Sequence, residues 1–209
     1  MDHRVITLYF VRHGQALHNI AAEIFGDYAY FDPIYRDAEL TEKGIAQAKA
    51  LQLFFKRNPP DLIYSSSLRR CLQTLDNSLV NINNMNNMNN IIVDDRLIER
   101  CGHHPCNKRS DKQELHTFIN KPINIENVNE NIPWPNKRET NEEIIHRGRE
   151  WYYNMLDLVR ENNNINRIVI YTHYEFLDTM LNNSALPFSS KENGIPFSNC
   201  EVREIKIDL

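Results

Sequence analysis

Residues 4–19 read RVITLYFVRHGQALHN. The run Val5–Val11 is apolar except for Thr7, far too short to cross a membrane but the right length for a buried strand. It stops abruptly at Arg12-His13-Gly14. A buried strand that ends on a cation and an imidazole presents both at the carboxyl edge of a sheet. In open α/β sheets that edge is where ligands bind.

The rest of the chain repeats the alternation. Thr41 reads as the N-cap of a helix to about Lys56, with Ile45, Ala48, Leu51 and Phe55 at three- and four-residue spacing and Asn58-Pro59-Pro60 as its stop. Leu62-Ile63-Tyr64 is a short strand, and Ser65-Ser66-Ser67 leads into a helix to about Val80. Residues 81–90, NINNMNNMNN, read as a disordered loop insertion, because Asn this dense covers no core. Ile91–Val93 resumes the sheet. Residues 94–140 read as an irregular cap, with one helix at Ser110–Ile119 and a loop over Lys121–Lys137, where Pro122, Pro133 and Pro135 fall. Thr140-Asn141-Glu142-Glu143 is a capping box. The helix behind it carries Ile144, Gly148, Trp151, Met155 and Leu158 on one face and ends near Glu161. Arg167–Thr172 is the clearest buried strand, His173 follows it, a helix covers Glu175–Asn182, and Cys200–Asp208 alternates as a last strand. Strands alternating with helices predict an α/β fold: a three-layer α/β/α sandwich around a mostly parallel central sheet, in a single domain over residues 1–209.

Composition narrows the function. With 24 Lys+Arg against 28 Asp+Glu the net charge is -4, and the pI of about 6.1 argues against a nucleic-acid binder. No apolar stretch predicts a membrane span, and no signal peptide precedes the first strand. The expected location is therefore cytoplasmic, with Cys71, Cys101, Cys106 and Cys200 as reduced thiols. Asn is unusually frequent at 27 residues, against six Gly.

Several ionisable side chains fall at strand ends: Arg12, His13 and Gln15, with Asn19 slightly on; Ser65–Ser67 and Arg70; Asp94, Asp95, Arg96 and Glu99; Thr172, His173 and Glu175. Two imidazoles, two guanidiniums and a set of carboxylates in one crevice suit phosphoryl chemistry. Guanidinium forks bind phosphate oxygens, a neutral imidazole attacks phosphorus, and a carboxylic acid protonates the departing oxygen.

LYFVRHGQALHN resembles the signature of the histidine phosphatase (phosphoglycerate mutase-like) superfamily. LTEKGIAQA at 40–48, DLIYSSSLRRCLQT at 61–74, DRLIER at 95–100 and VIYTHYEFL at 169–177 resemble further family segments, in the family's order. GHHPCNKR at 102–109 and FSNCEVR at 197–203 resemble the eukaryotic phosphomutase-like branch. The resemblance implies a phosphoglycerate mutase-like fold. It makes His13 the phosphorylated nucleophile, Arg12 and Arg70 the phosphoryl clamp, His173 a second phosphoryl-binding imidazole and Glu99 the proton donor. Asp94 and Asp95 remain rivals for that last role, and Arg69 reads as a solvated helix residue. Asn19 and Gln15 are candidates for substrate binding, and Arg109, with Lys108 and Lys112, for a rim that meets a second acidic group.

The chain also departs from the family pattern. Tyr174-Glu175 stands where a small residue and Gly usually follow the second histidine, and Asn107 replaces an Asp. Glu175 could orient an arginine, act as a second acid, or face outward at a helix start. In CGHHPC at 101–106 two Cys and two His crowd together, but the spacing is wrong for zinc and there is no second pair, so no metal is expected.

The expected activity is phosphomonoester hydrolysis of small phosphorylated metabolites through a phosphohistidine, with no cofactor, no nucleic acid and no membrane partner. The alternatives are a 2,3-bisphosphoglycerate-dependent phosphoglycerate mutase, disfavoured because its extra insertion and tail are not recognisable, and a non-catalytic phospho-binding member. The family's habits also admit a homodimer, although no apolar strip in the sequence points to one.

Overall fold

The computed structural model describes residues 4–79, 90–131, 134–182, 185–187 and 196–209. Most of the Asn-rich segment expected to be a disordered loop lies outside them. The described residues form a six-stranded sheet: β1 (Val5–Arg12), β2 (Leu62–Ser66), β3 (Ile91–Asp94), β4 (Asn124–Asn127), β5 (Arg167–Thr172) and β6 (Val202–Asp208). The strand order is β4-β3-β2-β5-β1-β6. All pairings are parallel except β1 with β6.

The three central strands are buried on both faces, so their apolar runs split by alternation. From β1, Ile6, Leu8 and Phe10 enter one core with Ile168 and Ile170 of β5. Tyr9 and Val11 enter the other with Val169 and Tyr171. Helices α5 (Asn141–Glu161) and α6 (Tyr174–Asn182) cover the first face through residues such as Trp151, Met155 and Phe176. Helices α3 (Gln52–Arg57) and α4 (Arg69–Ser78) cover the second through Phe55, Leu72 and Leu75, with α2 (Glu42–Ala50) packed on α4. This is the three-layer α/β/α arrangement.

Three expectations are corrected. The helix predicted over residues 41–56 breaks at Leu51 into α2 and α3; the Leu51 amide is shared between the Ala48 and Lys49 carbonyls, so the turn tightens there. Asn124–Asn127, inside the expected loop, is an edge strand beside β3; its polar, short sequence carries no alternation to announce it. The helix expected at Ser110–Ile119 is a shorter 3-10 helix, Lys112–Thr117. Helix α1 (Leu17–Phe25) and the 3-10 turns Asp27–Phe31 and Pro33–Tyr35 occupy a stretch to which the sequence assigned no element. Among the described residues no helix is long and apolar enough to cross a membrane.

Candidate active site

The register of the sheet brings the two histidines together. Arg12 pairs with Thr172 across β1 and β5, and the His13 amide donates to the Thr172 carbonyl, so His13 and His173 leave neighbouring parallel strands at the same level. Their ring centroids are 5.1 Å apart, close to the spacing of adjacent strands. Strand β2, on the other side of β5, ends in Ser66, whose hydroxyl lies 2.7 Å from His173 Nε2.

The loop after His13 needs two glycines. A Cβ on Gly14 would sit 2.6 Å from the Gly44 carbonyl oxygen, and one on Gly44 would sit 2.0 Å from the Gln15 carbonyl oxygen. The Gln15 carbonyl accepts from the Thr41 amide, and Thr41 caps α2 through the Gly44 amide. The segment LTEKG therefore docks the start of α2 onto the loop that carries His13. The C-terminal FSNC segment braces the same loop. Asn199 Nδ2 donates to the His13 carbonyl at 2.9 Å, the Cys200 amide to Arg12 at 3.0 Å, and Arg12 Nη1 to the Phe197 carbonyl at 2.5 Å.

His13 is 1% exposed, and Nδ1 lies 2.7 Å from the Gly14 carbonyl, which can only accept. Nδ1 therefore carries the proton. Nε2 accepts from Arg70 Nε at 3.2 Å. Arg70, itself fully buried, is held by the Cys106 carbonyl at 2.8 Å and Asn107 Oδ1 at 3.0 Å. Burial, with the Arg70 and Arg12 charges adding to it, pushes His13 well below the usual histidine range. His173 and His18 shift the same way for the same reasons. All three rings are neutral at neutral pH.

Glu99 follows β3 and is 8% exposed. Its carboxylate accepts from the amides of Arg100 (3.1 Å), Glu175 (3.4 Å) and Phe176 (3.2 Å), the last two in the first turn of α6. Those bonds and Arg70 favour the anion. Burial and the nearby Glu175 charge outweigh them, and the pKa rises above the ordinary glutamate value.

Arg12, His13, Asn19 and Glu99 line a cavity of about 180 Å³ whose outer wall includes Tyr30, His104, Arg138, Tyr174 and Glu175. Tyr174 lies under the Arg12 guanidinium, 5.3 Å from its ring centroid. Glu175 takes Arg138 Nη2 at 2.7 and 2.6 Å and Arg100 Nε at 3.3 Å. So the two residues that depart from the family pattern each hold an arginine. Asn19 also caps locally: its Oδ1 accepts from the Ala16 amide at 2.9 Å. Asn107 bridges, accepting from Arg70 and donating to the Arg100 carbonyl at 3.0 Å, which an Asp could not do.

Other candidates stand apart. Gln15 turns its side chain onto Thr41 at 2.9 Å and does not line the cavity. Arg109 is buried, pairs with Asp95 at 3.2 Å, donates to the Ser110 and Asn129 carbonyls, and faces a separate hollow with Lys108. Lys112 pairs with Glu130. The expected basic rim is thus not at the mouth of this cavity, because a buried Asp holds Arg109 back. The rivals of Glu99 are also committed, Asp94 to Arg96 and Asp95 to Ser67, Arg109 and the Asn129 amide. Arg69 is not free in solvent: it pairs with Glu39 and lies over Phe118. Among the described residues no three His, Cys, Asp or Glu side chains form a group that could hold a metal ion. The sequence reading missed His18, Tyr30, His104 and Arg138 in the cavity wall and Ser66 behind His173. Only Ser66, at a strand end, had a positional signal.

The sequence model of the histidine phosphatase superfamily (branch 1) matches residues 8–209. The chain belongs to that superfamily. A relative from Arabidopsis thaliana, phosphoglycerate mutase-like protein 1, is 32% identical over 98% of this chain and 82% of its own. Among solved structures, the phosphoglycerate mutase of Bacillus anthracis superposes with a TM-score of 0.64 at 18% identity, covering 99% of this chain and 89% of its own. A mycobacterial glucosyl-3-phosphoglycerate phosphatase gives 0.61 at 19% identity, with 97% and 91% covered. These two share the fold with this chain while their names assign them to different reactions, so the choice between hydrolysis and transfer has to come from the site. The superfamily sequence elements map onto contacts made here: LTEKG on the glycine approach, FSNC on the brace of the His13 loop, and GHHPCNKR on the support of Arg70.

Proposed function

We propose that the protein hydrolyses phosphomonoesters of small metabolites through a phosphohistidine on His13. The observation that carries this reading is the state of that imidazole. It is neutral, its Nδ1 proton is held by a carbonyl, and its Nε2 lone pair stands beside Arg70 at the foot of a small cationic cavity.

In the first half-reaction Nε2 attacks phosphorus. The N–P bond forms, the P–O bond to the leaving group breaks, and the Glu99 carboxyl gives its proton to the departing oxygen. Arg12 and Arg70 offset the charge on the equatorial oxygens. His173 supports the same group: with Nε2 accepting from the Ser66 hydroxyl, Nδ1–H is the donor left for a phosphoryl oxygen, and it has no protein partner. In the second half-reaction water attacks the phosphohistidine, its proton passes to the Glu99 carboxylate, the N–P bond breaks and phosphate leaves. Asn19, which faces the cavity, adds a polar contact to the bound phosphoryl group. No step calls for a metal or an organic cofactor. The cavity, well below the ~300–1,000 Å³ of drug-sized sites, suits a phosphoryl group on a small body.

Phosphate release from an aryl phosphate, compared with the His13→Ala variant, tests the reading. Turnover lost in the variant supports it; no turnover by the intact protein overturns it. The mutase alternative, which would take 2,3-bisphosphoglycerate as its phosphoryl donor, rests on the name of the Arabidopsis relative. It predicts transfer to 3-phosphoglycerate faster than hydrolysis.

A further inference from the structure

Among the described residues, seven of the ten large apolar side chains that stand exposed fall between residues 17 and 34. Leu17, Ile20 and Ile24 form a stripe along α1 at i, i+3 and i+7, while His18 and Ala21 are the helix's buried side. The stripe continues through Phe25, Tyr28, Phe31 and Ile34. Tyr28 and Phe31 share one face of a 3-10 turn, where side chains three apart eclipse. Ile24 is 65% exposed, Phe25 68%, Tyr28 87% and Ile34 77%. At about 200 Å² per large side chain, the seven expose on the order of 800 Å², one partner's share of a standard protein interface and more than a monomer usually shows.

We propose that a second copy of this chain docks on this stripe. None of the seven side chains lines the phosphate cavity, so the stripe is not the wall that receives the substrate. From Gln15 to Tyr35 the chain carries Glu23, Asp27 and Asp32 and no Lys or Arg, which disfavours anionic lipid and nucleic acid. Along α1 itself Glu23 is the one formal charge. Its apolar face is therefore matched by another uncharged apolar face, and a two-fold, antiparallel crossing of α1 on α1 supplies one. The opposite side of this segment holds His18, Asn19 and Tyr30 in the cavity wall, so the contact would brace one side of the active site.

Light scattering after size exclusion, at micromolar concentration and above, tests this. The expected mass is about twice the 24.7 kDa of one chain. The double variant Ile24→Glu/Phe25→Glu should return the mass of one chain with unchanged circular dichroism, through a loss of affinity of at least about 100-fold. The control Leu53→Glu, exposed on α3, should remain a dimer. A single-chain mass for the intact protein at every concentration overturns the proposal, as does a dimer that survives the double substitution. Flotation of a monomeric protein with neutral phosphatidylcholine vesicles would also overturn it and give the stripe to lipid.

Discussion

The cavity has two walls built in different ways. The inner wall is His13, Arg70, His173 and Ser66, each at or just past the end of a buried strand or in the first turn of the helix that comes after one. Its side chains are fully or almost fully buried, and backbone carbonyls or neighbouring side chains fix their orientation. The outer wall is Tyr30, His104, Arg138, Tyr174 and Glu175, drawn from 3-10 turns, loops and the exposed start of α6. Its members hold one another: Tyr30 stacks on His104 at 5.3 Å, Arg138 reaches His104 and Glu175, and Glu175 also takes Arg100. The sheet dictates the first wall, while side-chain pairing assembles the second. Chemistry should therefore fail when the inner wall is cut, and selectivity should drift when the outer wall is cut.

The largest effect is expected at Arg70. Arg70→Lys keeps a charge but loses the fork that spans His13, the Cys106 carbonyl and Asn107. We expect kcat/KM for an aryl phosphate to fall by about 10³-fold, carried by kcat. A drop confined to KM would move Arg70 out of the reacting centre.

Glu99→Gln removes the proton donor. The loss should reach about 10²–10⁴-fold for alkyl phosphates, whose leaving oxygens need a proton, and be much smaller for an activated aryl phosphate. Because the first half-reaction uses the protonated carboxyl, its rate should fall as pH rises through the elevated pKa of Glu99. Glu175→Gln removes one of the two causes of that elevation and should move the alkaline limb to lower pH. An unmoved limb would separate Glu175 from the acid.

Across the cavity, Arg138→Ala should raise KM by about 10-fold with kcat nearly unchanged, since it removes uniform binding. A collapse of kcat would erase the distinction between the walls.

The fold and the inner wall were legible for the same reason. A strand such as Val5–Val11 declares itself through a continuous apolar run, and the residues just past the end of a parallel strand must face the crevice. The order of β1, β5 and β2 then decides which ends meet. Glu99, five residues beyond β3, was also reachable, because its rivals Asp94 and Asp95 lie closer to the strand and are used up by Arg96, Ser67 and Arg109. The outer wall was not legible. His104 and Arg138 are 34 residues apart in irregular chain, and only their contact reveals their purpose. The polar edge strand Asn124–Asn127 and the outward-facing apolar stripe of α1 violate the patterns by which strands and amphipathic helices are recognised. Arg109 misled the reading because one buried carboxylate, Asp95, turned it away from the mouth.

A smaller effect should appear in stability. The unfolded chain takes up protons on histidine at about pH 6.5, but buried His13, His18 and His173 resist protonation to well below that. Below about pH 6.5 the unfolded state thus binds more protons and stability falls with pH. Glu99 acts in the opposite sense, costing stability as pH rises from the ordinary glutamate value to its own elevated one. The melting temperature should drop as pH falls from neutral toward 5, with a shallower slope in His18→Gln. A flat profile would mean that the rings are not held neutral in the folded protein.

The central claim is that His13 Nε2 carries the phosphoryl group. Rapid quenching of turnover in alkali, with peptide mass spectrometry as the readout, measures this directly. The account predicts a phosphate on His13, stable in base, lost in acid and absent from His13→Ala. Full turnover with no phosphate on His13, or with the phosphate on Ser66 or another residue, would contradict it.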